Sequence, residues 1–210
     1  MSKLQEISAA VSAGKKKQVP GLVQEALDEG IAPEVILQEG MIQAMNEVGE
    51  KFRLNEIFVP EMLVAARAMK AGVEVLKPHL AGENNVMRGK MVMGTVHGDL
   101  HDIGKNLVIL MIESAGFEVI DLGVDVPTAD FVAAASAPDV DIVGLSALLT
   151  TTLPALQESV AALNEMECRG RFKVMVGGAP VTQKFADEIG ADIYTEDAAS
   201  AAKAATEAVG

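Results

Sequence analysis

Apolar residues in the first 80 positions recur at three- and four-residue intervals, the spacing of one face of a helix. Val23, Ala26 and Leu27 follow this spacing, and the stretch 61–80 repeats it directly after Pro60, a residue suited to a first helical turn. Short polar segments separate the periodic stretches. The pattern predicts four helices joined by short turns, that is, a small helical bundle.

The pattern changes after residue 89, where short β-rich runs alternate with stretches of helical period. The runs are nearly continuous in apolar residues, as expected for parallel strands buried on both sides, and occupy 90–96, 117–123, 141–148, 172–178 and 191–195. Strands alternating with helices predict a parallel sheet covered by helices. The polar stretch 81–89 is typical of a linker, so we expect a helical domain over 1–86 and an α/β domain over 87–210.

Composition narrows the classes of partner. Half of the 210 residues are hydrophobic, enough for a packed core, whereas aromatic residues make up 3% and the net charge is −13. Single-strand nucleic-acid binding uses aromatic stacking and phosphate binding uses Lys and Arg, so no nucleic-acid partner is expected. Cys168 is the single cysteine, and the sequence shows neither a signal-peptide core nor an apolar run of membrane-spanning length. We therefore expect a cytoplasmic protein without a membrane partner.

Candidate chemistry concentrates in GTVHGDLHDIGKN, residues 94–106, between the first predicted strand and the first helix of the α/β half. In open α/β sheets, ligands bind beyond the carboxyl ends of the strands, so this segment is the expected place for a site. A phosphate loop is a poor interpretation. Five residues instead of four separate Gly98 from Gly104, and Asn106 stands where Ser or Thr would hold magnesium.

A zinc site is a second interpretation, because His97 and His101 are four residues apart and would share a helix face. The glutamate that follows the first histidine in zinc hydrolases is absent, and Gly98 weakens a helix at this point. This interpretation stays open but poor.

A third interpretation is that one histidine binds a cofactor metal from a loop while a carboxylate holds its other ring nitrogen. Such relays fix the tautomer of the ring and raise its basicity as a ligand. A lone histidine is ordinarily a surface or core residue. Here Asp99, Asp102 and Gly104 surround His101 and favour the metal-ligand interpretation.

The spacing Asp99-x-His101-x-x-Gly104 resembles the D-x-H-x-x-G signature of cobalamin-binding proteins. In that family the cofactor is bound base-off, with a protein histidine as the lower axial ligand of cobalt. Ser146-Ala147-Leu148 resembles the family's S-x-L element, and Gly177-Gly178 matches its glycine pair after the fourth strand. The three elements stand in the family's order, and together they are highly specific.

The helical half is similar to the cap of methionine synthase and of small corrinoid proteins, whose bulky residues at the positions of Phe52 and Val59 cover the upper face of the corrin. The resemblance spans nearly the whole chain. It implies an α/β fold in which a four-helix-bundle cap precedes a Rossmann-like, flavodoxin-like domain with a five-stranded parallel sheet. The implied cofactor is cobalamin, a corrinoid that carries cobalt.

The resemblance also implies site residues. His101 would ligate cobalt, Asp99 would hold its second ring nitrogen, and Thr152 stands where methionine synthase has the serine of its ligand relay. For Thr150 and Thr152, turn and N-cap chemistry is an equally good explanation. Glycines allow close backbone approach to the nucleotide tail. The full expected set is Gly98, Asp99, His101, Asp102, Ile103, Gly104, Ser146, Leu148, Thr150, Thr152, Gly177, Gly178, Phe52 and Val59.

The function implied is that of a methyl carrier cycling between Co(I) and methyl-Co(III), a corrinoid subunit without catalytic residues of its own rather than a stand-alone enzyme. Its expected partners are a substrate-specific methyltransferase of the methylamine, methanol or methoxy-aromatic type and an acceptor methyltransferase, with a reductive activase as a further possibility. The alternative is a cobalamin-dependent sensor or regulatory module, which would need an output domain. A mutase subunit would need a substrate barrel of roughly 250 residues.

Overall fold

A computed structural model describes residues 2–80 and 87–210. The chain divides into two compact units, one within residues 1–87 together with Glu113–Gly116, the other formed by Arg88–Ile112 and Phe117–Gly210. Most of the predicted linker, residues 81–86, lies outside the described residues. No helix in the described parts of the chain is long and apolar enough to span a membrane.

The first unit is helical, as predicted. Its elements are α1 (Lys3–Ser12), α2 (Val19–Asp28), α3 (Pro33–Val35), a π-helical segment (Ile36–Ile42), α4 (Gln43–Arg53) and α5 (Val59–Leu80). Because α3, the π-helical segment and α4 follow one another without a break, the unit has four helical stretches. Its core is aliphatic, and it buries four methionines that suit irregular gaps: Met41, Met45, Met62 and Met69.

Local sequence signals explain the ends of these helices. Ser2 and Gln5 form a reciprocal capping box that satisfies free amides at the start of α1. Pro20 and Pro33 lie in the first turns of α2 and α3, where a missing N–H costs nothing. Gly14, just past α1, has a φ of +66°, a left-handed conformation that favours glycine.

The second unit is α/β. Its strands are β1 (Lys90–Val96), β2 (Glu118–Val126), β3 (Ile142–Ser146), β4 (Lys173–Gly177) and β5 (Ile193–Tyr194). Its helices are α6 (Ile103–Ser114), α7 (Thr128–Ala135), α8 (Leu153–Asn164), α9 (Gln183–Ile189) and α10 (Ala198–Val209), with 3₁₀ turns at Thr150–Thr152 and Arg169–Arg171. All strand pairs are parallel, in the order β2-β1-β3-β4-β5, which confirms the flavodoxin-like prediction.

Four of the five strands, β2 to β5, differ from their predicted bounds by one to three residues at an end. β2 continues to Val126 instead of stopping at residue 123, because Gly123 and Asp125 take positive φ values and the pairing with β1 resumes beyond them. β3 stops at Ser146 instead of 148, since the amide of Leu148 donates to the Asp99 carboxylate instead of continuing the ladder.

The order of the strands indicates where a ligand would bind. β1 and β3 are neighbours whose following segments diverge to opposite sides, which is the switch point where ligands bind in this fold. Thr95, Ser146 and Gly177 are in register across β1, β3 and β4 at the carboxyl ends of those strands. The predicted motifs after β1, β3 and β4 therefore meet at one edge of the sheet.

Candidate functional site

The loop between β1 and α6 carries the first motif. Gly98 has a φ of +80°, so the chain turns sharply after His97 in a conformation that favours glycine. Beyond it the Asp99 side chain is fully buried, whereas Leu100 and His101 are exposed. The loop thus places one carboxylate inside the protein and one imidazole at its surface.

The Asp99 carboxylate joins the β1–α6 loop to the segment after β3. Its Oδ2 accepts from the backbone amides of Leu148 at 2.7 Å and Leu149 at 3.4 Å and lies 2.9 Å from the hydroxyl Oγ1 of Thr152. Its Oδ1 accepts from the backbone amide of His101 at 3.1 Å and lies 2.7 Å from that residue's Nδ1. The two carboxylate oxygens are therefore saturated with donors.

These donors decide the charge of Asp99. Burial alone would raise the pKa of its carboxyl, but the hydrogen bonds from Leu148, His101 and Thr152 outweigh it and hold the pKa well below its ordinary value. Asp99 is therefore an anion, and an anion only accepts hydrogen bonds.

His101 consequently has a defined tautomer. Since Asp99 only accepts, Nδ1 of His101 carries the proton and donates it, which leaves the lone pair of a neutral ring on Nε2. The side chain is 49% exposed, and its backbone carbonyl accepts from the buried hydroxyl of Thr95 at 2.9 Å. The chain thus presents Nε2 of His101 at the surface in a fixed orientation. Metal-binding histidines commonly have this arrangement, in which a carboxylate holds the ring nitrogen that does not bind the metal.

Thr152 donates a hydroxyl hydrogen bond to Asp99 from the segment after β3. It is buried in the 3₁₀ turn ahead of α8, its hydroxyl lies between Asp99 Oδ2 and the carbonyl of Leu149, and it makes no side-chain N-cap bond. N-cap chemistry therefore does not explain this threonine. Thr150 is exposed in the same turn and does not reach Asp99.

Exposed apolar side chains occur on both segments that meet at Asp99. Leu100 and Ile103 bracket His101 in the sequence, with Ile103 84% exposed, and Leu148 and Leu149, whose amides donate to Asp99, are exposed after β3. A Cβ added to Gly104 would meet no atom within 4 Å. An exposed imidazole nitrogen beside exposed apolar side chains fits a metal-carrying cofactor with a large apolar surface.

The glycine pair is packed against protein backbone. A Cβ on Gly178, whose φ is +128°, would lie 1.8 Å from the carbonyl oxygen of Ala147, and one on Gly177 would lie 3.2 Å from that of Thr195. Both glycines therefore let neighbouring backbone come close at the carboxyl end of β4. Ser146 is half-buried in the same register row as Gly177.

His97 has its own carboxylate. Its Nδ1 lies 2.8 Å from Oδ1 of Asp125, which also accepts from the amide of Gly98 at 2.7 Å. His97 and His101 are thus bound to different aspartates. Among residues 2–80 and 87–210, no group of three or more His, Cys, Asp and Glu side chains is arranged to hold a metal ion, so the structure gives the zinc interpretation no support.

A buried lysine supports the loop and was missed in the sequence. Lys105 is 2% exposed, and its ammonium donates to both carboxylate oxygens of Asp121 at 2.6 and 2.7 Å and to Oδ1 of Asn106 at 2.8 Å. Asn106 in turn donates to Asp102 at 3.1 Å, next to His101. The available signals were a lysine in the first turn of an apolar helix and an acid inside an apolar strand.

The two remaining predicted residues belong to the helical unit. Phe52 is half-buried near the end of α4, and Val59 is exposed at the start of α5. Phe58, beside Val59, is 64% exposed and was not singled out in the sequence.

Comparison with known proteins identifies the family. A family model described as a B12 binding domain matches residues 89–204, and a second model of the same description matches residues 3–77. Dimethylamine corrinoid protein 3 of Methanosarcina acetivorans is 46% identical over 97% of this chain and 95% of its own length. A corrinoid protein of Desulfitobacterium hafniense is 41% identical over 100% of this chain and 99% of its own.

Solved structures of cobalamin-binding proteins are also similar to this chain. A cobalamin-binding protein from Desulfitobacterium hafniense DCB-2 is similar with a TM-score of 0.82 and 35% identity, covering 99% of this chain and 98% of that one. The methanol:cobalamin methyltransferase complex of Methanosarcina barkeri contains a chain similar with a TM-score of 0.85 and 30% identity, covering 99% and 79%. This chain belongs to the family of corrinoid proteins with a B12 binding domain, and its cofactor is cobalamin.

Proposed function

We propose that this chain is a methyl carrier that binds cobalamin base-off, with His101 as the axial ligand of cobalt. The observation that supports this most is the fixed tautomer of His101. Asp99 holds the proton on Nδ1, and the Nε2 lone pair is left on an imidazole that is half exposed. When bound, the corrin cobalt supplies the nucleophile that takes up a methyl group and gives it away, alternating between Co(I) and methyl-Co(III).

The protein's part in this chemistry is orientation. Asp99 holds the ring proton of His101 on Nδ1 and so leaves Nε2 to face the cofactor, and the amides of Leu148 and Leu149 with the hydroxyl of Thr152 keep Asp99 anionic. The glycine positions 98, 104, 177 and 178 and the hydroxyls of Ser146 and Thr150 are proposed to line the path of the corrin and its nucleotide tail. Asp102, Ile103 and Leu148 complete that lining.

The helical unit is proposed to shield the methyl group. Phe52 and Val59 would cover the reactive face between transfers, and the unit would have to move aside for each partner. We propose two methyltransferases as partners, one specific for the methyl donor and one for the acceptor, together with a reductive activase. Related proteins belong to dimethylamine and methanol systems by their names, so these two donor methyltransferases are the first to test.

Replacing His101 with alanine tests the ligand, and His97→Ala is its matched control, since both histidines are exposed and paired with an aspartate. Each protein is loaded with cobalamin, reduced to Co(II) and examined by electron paramagnetic resonance. Histidine labelled with nitrogen-15 should change the axial-nitrogen splitting in the wild type and in His97→Ala, and the change should vanish in His101→Ala. An unaltered splitting in the His101 variant, or an axial nitrogen that is not from histidine in the wild type, would contradict the proposal.

Methyl transfer is tested separately. The loaded protein is mixed with the dimethylamine or methanol methyltransferase of a related system, and methylation of the corrin is followed by its visible spectrum. Phe52→Ala should lose its methyl group faster to adventitious reaction, whereas Leu54→Ala, an exposed neighbour, should behave as the wild type. Equal loss rates in all three proteins would exclude Phe52 as a shield.

A further inference from the structure

A buried threonine lies near the carboxyl end of β1, just before the loop that carries His101. Thr95 is fully buried, and because side chains alternate along a strand it shares a face of β1 with Met91 and Met93, which are also buried. Valine has the same shape, suits a strand equally well and carries no polar group to bury. The hydroxyl of Thr95 is therefore a polar group on an otherwise apolar face, and its hydrogen bond is the reason to look for a role.

That hydrogen bond reaches the backbone of the candidate metal ligand. Oγ1 of Thr95 donates to the carbonyl oxygen of His101 at 2.9 Å. A carbonyl oxygen only accepts, so the direction of the bond is fixed. The loop leaves β1 after Val96 and enters α6 at Ile103, and the bond ties its ligand-bearing residue back to the strand from which the loop departs.

The Thr95 bond restrains a motion that Asp99 alone leaves open. The amide of His101 at 3.1 Å and its ring Nδ1 at 2.7 Å both meet the same oxygen, Oδ1 of Asp99. Two bonds that end on one atom leave a residue free to swing about that atom. The Thr95 bond holds the carbonyl of His101 from a second point, so it fixes where Nε2 lies, whereas Asp99 fixes which ring nitrogen carries the proton.

The second point of attachment is itself rigid. β1 lies between β2 and β3 in the sheet, and Thr95 pairs in register with Ser146 of β3. A threonine side chain branches at Cβ, which restricts the rotation that would carry its hydroxyl away. Asp99 is anchored differently, to the amides of Leu148 and Leu149 after β3. His101 is thus held to two parts of the sheet edge by independent hydrogen bonds.

A ligand that is already in position binds a metal more strongly than one that must be brought there. Binding sites work when their groups are held within about 0.5 Å of the productive geometry by supporting contacts. Each restraint that the free protein already imposes is a freedom that binding does not have to remove. Thr95 is fully buried, so it acts on the axial bond without contacting the cofactor.

We propose that Thr95 is a positioning residue for the cobalt ligand: its hydroxyl holds His101 at the place from which Nε2 binds cobalt, and so strengthens the axial bond. This inference depends on His101 being the axial ligand, as proposed above. Removing the hydroxyl should weaken the hold on cobalt while the tautomer set by Asp99 stays unchanged.

Competition for the cobalt tests the proposal. The wild type and Thr95→Val are loaded with cobalamin, reduced to Co(II) and titrated with imidazole labelled with nitrogen-15. Electron paramagnetic resonance distinguishes the two axial nitrogens, because the isotopes split the signal differently. The imidazole concentration that replaces half of the histidine should be lower by about fivefold in Thr95→Val, as expected for the loss of one hydrogen bond.

Two further variants separate positioning from general stability. Thr95→Ser keeps the hydroxyl and should return to within about twofold of the wild type. Thr206→Val removes a bond of the same kind, from the hydroxyl of Thr206 to the carbonyl of Ala202 at 3.0 Å in α10, and should also stay within about twofold. Circular dichroism checks the fold of each protein. If Thr95→Val takes up no cobalamin, Thr95→Ala against Thr95→Ser makes the same comparison.

A second measurement uses the protein without its cofactor. Amide hydrogen exchange of residues 100–102 should speed up by about fivefold in Thr95→Val, because the loop loses its tie to β1. Nitrogen NMR of the His101 ring should show the same tautomer as in the wild type, since the bond from Nδ1 to Asp99 remains. Position would then be lost while protonation is kept, a pattern that a merely structural role does not produce.

The opposite results overturn the proposal. Thr95→Val that resists displacement as well as the wild type at every imidazole concentration would show that the hydroxyl does not support the axial bond. An equal loss in Thr206→Val, no recovery in Thr95→Ser, or a changed tautomer in Thr95→Val would each replace positioning with another role. Failure of the ligand assignment looks different: the wild type would show no histidine nitrogen before imidazole is added, and hydrogen exchange would still decide whether Thr95 holds the loop.

Discussion

Two histidines of the loop between β1 and α6 are each paired with an aspartate, at almost the same distance. Nδ1 of His101 lies 2.7 Å from Asp99, and Nδ1 of His97 lies 2.8 Å from Asp125. Asp99 is fully buried and holds amides and a hydroxyl from the segment after β3, whereas the Asp125 side chain is 47% exposed and holds one amide, that of Gly98. The distance between ring and carboxylate therefore does not distinguish the two pairs; their surroundings do.

A histidine is held in one orientation when its carboxylate partner is shielded from water. The pKa of Asp125 is lowered chiefly by the Gly98 amide and further by His97, but water can replace either partner at this exposed position. Water cannot reach Asp99, so its donors are obligatory and the ring bound to it has one tautomer and one direction. We infer that burial of the carboxylate, rather than the presence of a pair, marks the functional histidine.

The largest expected effect follows from Asp99→Asn. An asparagine would turn an NH₂ group toward the donors that now meet the carboxylate, leaving buried amides unpaired, and we expect a loss of about 3 kcal/mol in the free energy of unfolding. Urea unfolding of the cofactor-free protein measures it. Asp125→Asn in the same assay is the control; similar losses in the two variants would contradict the contrast between the pairs.

A smaller effect is expected from Thr152→Val, which keeps the shape of the side chain and removes the hydroxyl beside Asp99. Loss of one buried hydrogen bond to a carboxylate should cost about 1.5 kcal/mol in the free energy of unfolding. Thr152→Ser retains the hydroxyl and should recover most of the difference. A valine variant as stable as the wild type would show that Asp99 does not depend on Thr152.

Lys105→Met should cost less, about 1 kcal/mol, since Asp121 is partly exposed and regains water when the ammonium is removed. Its particular signature is dynamic. Hydrogen exchange of the amides of residues 102–106 should speed up, because Asn106 loses one partner and with it the order of the first turn of α6. Lys105→Arg keeps the charge and should exchange more slowly than the methionine variant; equal rates would leave Lys105 without a role in ordering this turn.

Features that depend on neighbouring residues could be predicted from the sequence, whereas contacts between distant residues could not. Strand β1 has its predicted bounds because apolar residues predominate over 90–96. Asp99 and His101 were found through local spacing, whereas Thr152 came only from the resemblance to the relay of methionine synthase. Lys105–Asp121 and His97–Asp125 connect residues 16 and 28 positions apart, across the pairing of β1 with β2. That register depends on a bulge near Gly123 that no local pattern specifies.

The smallest effect is expected at the exposed pair. Asp125 has a φ of +53°, a left-handed conformation that asparagine tolerates better than most residues, and an amide oxygen still accepts from Gly98 and from His97. Asp125→Asn should therefore unfold at the wild-type urea midpoint and keep the axial-histidine signal of the loaded protein. Asp125→Ala removes the acceptor and tolerates this φ less well, so its midpoint should fall while the signal persists. If Asp125→Asn weakened the axial signal, the second pair would act on His101 through the shared loop, and burial would no longer separate the proposed ligand His101 from His97.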